Sequence, residues 1–329
     1  MSQLKTNNIT NVSNTGDPNI VLGDSGDVQV QSLNSGPLAG FRNQIVNGGF
    51  TVNQREASGT YTTSAGAQTI YTVDRLVMNQ ISNAVTLQSQ LVNDLPGFTK
   101  GVHVNQTCGL KQRVELEWPG SRGLFAPNSV WTFSCWSTKP LQTGGFFFGV
   151  SPEVAASTAA VPTAGETIGP WTRYTYTATL NSVALTNEPC FGVVFTFPAD
   201  TRTTGWQLER GPVATPFEHR PIGTELALCQ RYMTVLDLGT NTNPVHWTFS
   251  RATDTGAPYG TVQFPTTMRV RPTFQEVGTV NAYATNMNFA TTTSCSLTLN
   301  TSLSAHQNAL QRCSANSNTF LKWYFDAEL

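Results

Sequence analysis

Charge is scarce in this chain. Lysine, arginine, aspartate and glutamate together make up 12% of its 329 residues and leave a net charge of −1, where soluble globular proteins carry roughly a 25% share. So even a balance gives no electrostatic case for nucleic acid or an anionic membrane. Long hydrophobic runs are missing as well. No stretch reaches the roughly 18 apolar residues a membrane helix needs. The opening MSQLKTNNIT has no basic-then-apolar signal pattern. Six cysteines are present, Cys108, Cys135, Cys190, Cys229, Cys295 and Cys313, none at CxxC spacing. His103, His219, His246 and His306 do not cluster with them. Structural zinc needs grouped soft ligands, so the expectation is reduced, mostly buried thiols made in a cytoplasm. GxSxG, a phosphate loop and HExxH are all absent.

Neutral polar residues take the place of charge, and their setting is β. Leu110, Gln112, Val114, Leu116 and Trp118 alternate with Lys111, Arg113, Glu115 and Glu117, the period-two pattern of a strand. Val130 to Trp136, Gly145 to Val150 and Cys190 to Phe197 are apolar on both faces, as strands covered on both sides would be. Trp171 to Leu180 sets Tyr174, Tyr176, Ala178 and Leu180 against Arg173, Thr175 and Thr177. About eight or nine such strands with Gly, Pro and Asn between them predict a two-sheet antiparallel sandwich over residues 41–222. Before it, residues 1–40 offer only a small hairpin, with Ile20 and Leu22, a Gly-Asp-Ser-Gly turn, then Val28 and Val30. A lone hairpin is marginal in water, so this segment is expected to be ordered by other chains. After it, residues 223–329 alternate again at Val245, Trp247 and Phe249, at Val262 and Phe264, and at Cys295, Leu297 and Leu299. Leu321, Trp323, Phe325 and Ala327 close the chain on one face, which predicts a second, smaller β-sandwich.

The two halves meet at GWQLERGPVATPFEHRPIGTELALCQRY, residues 205–232. Gly205 to Glu209 reads as a strand. The three prolines of 211–221 require an irregular, extended connector. Thr224 is the expected N-cap of a short helix, with Glu225 in its first turn and Leu228 and Tyr232 four apart. The connector predicts that the two β-regions are separable.

This stretch resembles the end of the jelly-roll module of bacteriophage tail-fibre and related virion-fibre proteins, in which a strand ending QLE leads into a TPFE-R-P connector and an ELALCQRY-like helix. The same family's opening signature is matched by NQIVNGGF at Asn43 to Phe50 with Gln54-Arg55. YTVDRLVM around Asp74-Arg75, QRVE at 112–115, WTRYTY at 171–176, FPTTMRVRPT from Phe264 and the final FDAEL agree with it. The resemblance covers most of the chain after residue 40. It implies an all-β fold consisting of an N-terminal hairpin attachment segment, a jelly-roll sandwich, a short linking helix and a smaller C-terminal sandwich. It implies a homotrimer, docking to other virion proteins through 1–40, and contact with host surface glycan. Alternatives within its reach are a head fibre or capsid decoration, and a glycan depolymerase.

Candidate site residues follow. Sugar rings stack on exposed aromatic faces. Trp118, Tyr61, Tyr71 and Tyr259, near strand ends, are the best-placed candidates. No cofactor is expected beyond the structural calcium that the resemblance implies, for which Asn47, Asn53 and Glu209 are the candidate ligands. Glu115 and Glu117 need a separate test. Two residues apart on a strand puts them about 6.5–7 Å apart, near the roughly 6.5–9.5 Å of inverting glycosidases. They point the same way, however, and do not flank a bond. Lys111 and Arg113 lie in the same stripe, so ordinary cross-strand ion pairing explains all four residues, and no enzyme activity is expected.

Overall fold

The computed structural model describes residues 8–9, 20–22, 28–30, 41–55, 59–64, 69–80, 84–116, 125–150, 152–181, 189–237, 239–240, 243–244, 247–250, 259–277, 284–300, 310–313 and 322–328. Strands β1 (Asn8–Ile9), β2 (Ile20–Leu22) and β3 (Val28–Val30) form a small antiparallel sheet. Ile20 lies opposite Val30 and Leu22 opposite Val28, the expected hairpin, with β1 added beside β2.

The sandwich contains β4 (Thr60–Thr62), β5 (Thr69–Tyr71), β6 (Val77–Gln80), β7 (Thr86–Leu91), β8 (Lys100–Val104), β9 (Cys108–Glu115), β10 (Val130–Ser137), β11 (Gly144–Phe148), β12 (Val154–Ala155), β13 (Thr163–Ile168), β14 (Trp171–Thr179), β15 (Cys190–Phe197) and β16 (Thr201–Arg210). A seven-stranded sheet runs β13-β14-β10-β16-β8-β7-β4 and a six-stranded one β12-β11-β15-β9-β6-β5. From β8 to β11 and from β14 to β16 the chain changes sheet at every step, which makes this a jelly roll rather than a meander. The strand count exceeds the expected eight or nine because β4, β5, β6 and β12 are two to four residues long, too short to show a clear alternation.

Apolar alternation closes the two sheets on each other. Phe133 of β10 stacks on Phe195 of β15 across the sandwich, ring centroids 5.1 Å apart. Phe197 stacks on Trp206 of β16 at 5.5 Å, and Phe125 lies between Trp131 and Phe191 at 4.2 and 4.3 Å. Fully burying one such ring contributes roughly 1.5–3 kcal/mol. Cys108 and Cys135 are buried here, and desolvation pushes both thiols up to about 12. They remain unionised and inert, as expected of packing cysteines.

Residues 211–221 run without regular structure, as their prolines require. The helix α1 spans Ile222–Gln230. Its N-cap is Pro221, with no side-chain cap, so Thr224 lies inside the first turn instead of capping it. Proline's fixed φ suits a helix start, and the cap lies three residues upstream of the expected one. Beyond α1 come β17 (Met233–Asp237), β18 (Gly239–Thr240), β19 (Asn243–Pro244), β20 (Trp247–Ser250), β21 (Tyr259–Gln263), β22 (Thr273–Val277), β23 (Ala284–Ala290), β24 (Ser294–Asn300), β25 (Leu310–Cys313) and β26 (Lys322–Asp326). They form a three-stranded sheet β17-β26-β22, a five-stranded sheet β23-β24-β21-β20-β25 and the pair β18-β19. Trp323, Phe325 and Ala327 are buried as their alternation predicts, with Phe325 against Phe264 and Phe274. Leu321 lies outside the described residues.

Candidate functional site

The motifs that stood out in the sequence converge on one seam, where the C-terminal region is fastened to the jelly roll. Gly48 of NGGF begins it. A Cβ there would stand 2.0 Å from the carbonyl oxygen of Trp206, so only glycine lets this turn reach β16. The Asn43 side chain donates to the Trp206 carbonyl and accepts from Leu208 N. Asn47 Nδ2 donates to the carbonyls of Val52 and Asp74, while Asn47 N donates to Glu225 of α1. Gln54 donates through its side chain to Asp74 and to the carbonyl of Met233. Burial pushes the Asp74 carboxyl above the ordinary carboxylate range, against the pull of the Gln54 donors.

The last residues of the chain close the seam. Glu328 is paired with Arg75 and with Arg55, and Arg55 also holds Asp326 at 2.9 Å. Arg75 and Glu328 are both almost fully buried, and the Arg75 guanidinium lies over the Tyr232 ring at 3.5 Å. Burial alone would lower the Arg75 pKa, but the Glu328 carboxylate together with Tyr232, Tyr71 and Cys229 outweighs it and holds the group charged. Arg231 grips Glu115 with two N–H groups, at 2.7 and 3.0 Å, and Tyr232 donates to the same carboxylate at 2.9 Å.

This corrects the reading of the charged stripe on β9. Lys111, Arg113 and Glu115 are buried. Glu115 is paired with Arg231 rather than with a residue of a neighbouring strand, and Lys111 and Arg113 share one oxygen of Glu153, also outside the strands, at 2.7 and 3.0 Å. The reason is geometric. Residues two apart on one strand are about 6.5–7 Å apart, too far for contact, so each partner comes from an element laid across the face. Both Glu115 oxygens are engaged in this way. Glu117 lies outside the described residues.

A different place on the seven-stranded sheet is open. The connector crosses the outer face of β16. Glu209 accepts from Thr215 N and Oγ1 at 2.9 and 2.6 Å, and Gln207 accepts from Glu218 N at 2.8 Å. These bonds aim the next residues, Phe217 and His219, toward the loop 92–99. That loop is itself anchored. Val92 and Leu95 pack with Trp136 and Trp171, and Asp94 accepts from Trp171 Nε1 at 2.9 Å and from Arg202 at 2.8 Å. Its tip, Gly97, has φ +84° and lies against the His219 ring. Three rings then meet: Phe98 with Phe217 at 5.1 Å, Phe98 with His219 at 5.4 Å, and Phe217 with His219 at 4.9 Å. They border a cleft of about 100 Å³, whose lining includes Thr51, Thr99, Glu218, Arg220 and Glu225. His219 is exposed and the two phenylalanines half-buried.

The residues singled out in the sequence fall elsewhere. Tyr61 is half-buried on β4 and donates to Asn53 Oδ1. Tyr71 is half-buried on β5, under Arg55 and within reach of Arg113. Burial pushes its hydroxyl up, and it belongs to the seam. Tyr259 lies on β21, paired with Ser250 and Thr298, and its side chain, like Trp118, lies outside what the structure describes. The calcium candidates Asn47, Asn53 and Glu209 each hold structural hydrogen bonds. Among the described residues no three of His, Cys, Asp or Glu gather as a metal-binding group.

No family model and no curated protein matches the chain. Solved structures do. The chain is similar to a cyclase from Fischerella sp. TAU, at 13% identity and a TM-score of 0.32, over 51% of this chain and 96% of the cyclase. It is similar to the enzymatically active domain of bacteriophage CBA120 tailspike protein 4, at 12% and 0.30, over 51% of this chain and 21% of that one. A family 16 carbohydrate-binding module aligns at 17% and 0.24, over 37% and 84%. These likenesses are of β-sandwich architecture alone.

The cleft was missed in the sequence because its rings come from segments read as punctuation. Phe98 follows Pro96-Gly97, and Phe217 and His219 sit among the connector prolines. An aromatic residue inside a proline-rich connector has no strand to bury it, and that was the available signal.

Proposed function

We propose that this chain is a structural, adhesive part of a tailed-phage virion, a fibre or fibre-like appendage, and that it contacts host surface glycan through the ring-lined cleft beside the connector. The observation that carries the glycan part is the cluster of Phe98, Phe217 and His219 at the mouth of a recess with polar walls. Apolar ring faces receive the C–H face of a sugar, and a few fixed polar groups orient its hydroxyls. The fibre-family motifs support the virion part, with the N-terminal strands as docking element and a homotrimer assembled in the host cytoplasm. The reading is non-enzymatic, and the engagement of Glu115 by Arg231 and Tyr232 in the seam supports a structural role for that carboxylate.

The test is binding of the full chain to an array of bacterial surface glycans, repeated with Phe217→Ala. The reading expects at least a tenfold loss of affinity with the unfolding midpoint little changed. Release of reducing ends from a bound polysaccharide would overturn the non-enzymatic part.

A further inference from the structure

The cleft walls restrict what sugar can enter. Two carboxylates, Glu218 and Glu225, and one guanidinium, Arg220, are the charged groups lining it. Arg220 is committed: Nη1 donates to the Ile45 carbonyl at 3.1 Å and to Glu225 at 3.4 Å. Its Nη2 donates to the Asn43 carbonyl and to Glu218. Of the five N–H donors of a guanidinium, four are thus engaged, and the fifth, on Nε, is unpartnered but buried, so none faces the open cleft. An anion entering the cleft would meet two carboxylates and no free guanidinium or ammonium group, and desolvating a charge without a full partner is costly. The uncommitted polar side chains are the exposed Thr51 and Thr99, which offer hydroxyls, and the exposed His219, whose ring also offers an N–H donor. The volume is about 100 Å³. It is well below the roughly 300–1,000 Å³ of sites that enclose whole ligands. One ring can lie on Phe98, Phe217 and His219, but an extended oligosaccharide cannot be enclosed.

Building on the glycan reading above, we infer that the cleft takes a single uncharged sugar ring, a neutral hexose or N-acetylhexosamine at the end of a chain, and rejects uronates and sialic acids. The pairing of rings with carboxylates sets this preference, so it responds to charge added at the rim. Thr51 is exposed and lines the cleft, and Thr51→Lys supplies the missing cationic donor.

The experiment titrates the full chain calorimetrically with methyl hexopyranosides, methyl N-acetylhexosaminides, and the methyl hexopyranosiduronates that differ from the first set only by a carboxylate. The expected result is binding of a neutral glycoside at least tenfold tighter than its uronate, lost at least tenfold in Phe217→Ala, with Thr51→Lys narrowing the gap. A uronate bound as tightly as its neutral counterpart, and still dependent on Phe217, overturns this inference and leaves the glycan reading standing. Glycoside binding that is unchanged in both Phe217→Ala and His219→Ala, or no binding of any glycoside, overturns the glycan reading at this cleft and the inference with it.

Discussion

At the scale of single residues, the account turns on buried charge. Arg75 and Glu328 are an almost fully buried pair, and breaking such a pair by removing one partner typically costs about 3–5 kcal/mol, because the remaining charge has no compensation. Glu328→Gln is therefore expected to lower the unfolding free energy by about that amount in urea melts followed by tryptophan fluorescence. Adding Arg75→Met is expected to recover part of the loss; no recovery would mean the pair is not the cause. Asp94 gives a pH-dependent counterpart. Its hydrogen bond from Trp171 and its pairing with Arg202 hold its carboxyl below the ordinary 3.8. A depressed folded pKa contributes stability that is present above the unfolded value and lost as pH falls through the folded one. The stability difference between wild type and Asp94→Asn should thus be flat above pH 3.8 and shrink below it. A difference that grows with acid contradicts the assignment.

At the scale of elements, the connector is better described as a strap than a spacer. Thr215 and Glu218 tie it to β16, and α1 and the last residues then tie the C-terminal region to Asn47, Arg75 and Glu115. Every buried member of the main core nevertheless lies between Ile45 and Leu208. A 41–222 fragment is therefore expected to fold, but to unfold at a distinctly lower urea concentration than the full chain, because its Arg75 and Glu115 have lost their partners. An equal midpoint would show that the seam contributes nothing. Failure to fold would show that the halves share a core.

Much of this level was legible in the sequence. Alternation located β9 and β14, runs apolar on both faces located β10 and β15, and the prolines marked the irregular strap. What alternation could not show is what covers a strand. Lys111 stands on the charged side of the alternation, yet it is buried against Glu153, 42 residues away, and Glu115 is covered by Arg231, 116 residues away. The same limit hid the cleft, since Phe98 and Phe217 meet only after the strap crosses the sheet.

At the scale of the whole molecule, the proposal is an oligomeric adhesin whose N-terminal strands dock and whose sandwich reads a sugar. Sparse charge suits subunits packed side by side, where like charges would repel. Native mass spectrometry of the full chain is expected to give three times the 35.7 kDa of one chain, and a single-chain mass at micromolar concentration would contradict the trimer. Deleting residues 1–36 should leave glycan binding intact while abolishing incorporation into particles. The most direct test of the central claim is a crystal structure of the full chain grown with a neutral methyl glycoside. The account predicts one sugar ring lying against Phe98, Phe217 and His219, its hydroxyls within hydrogen-bond reach of Thr51 or Thr99. A sugar seated elsewhere on the chain, with this cleft empty, would contradict it.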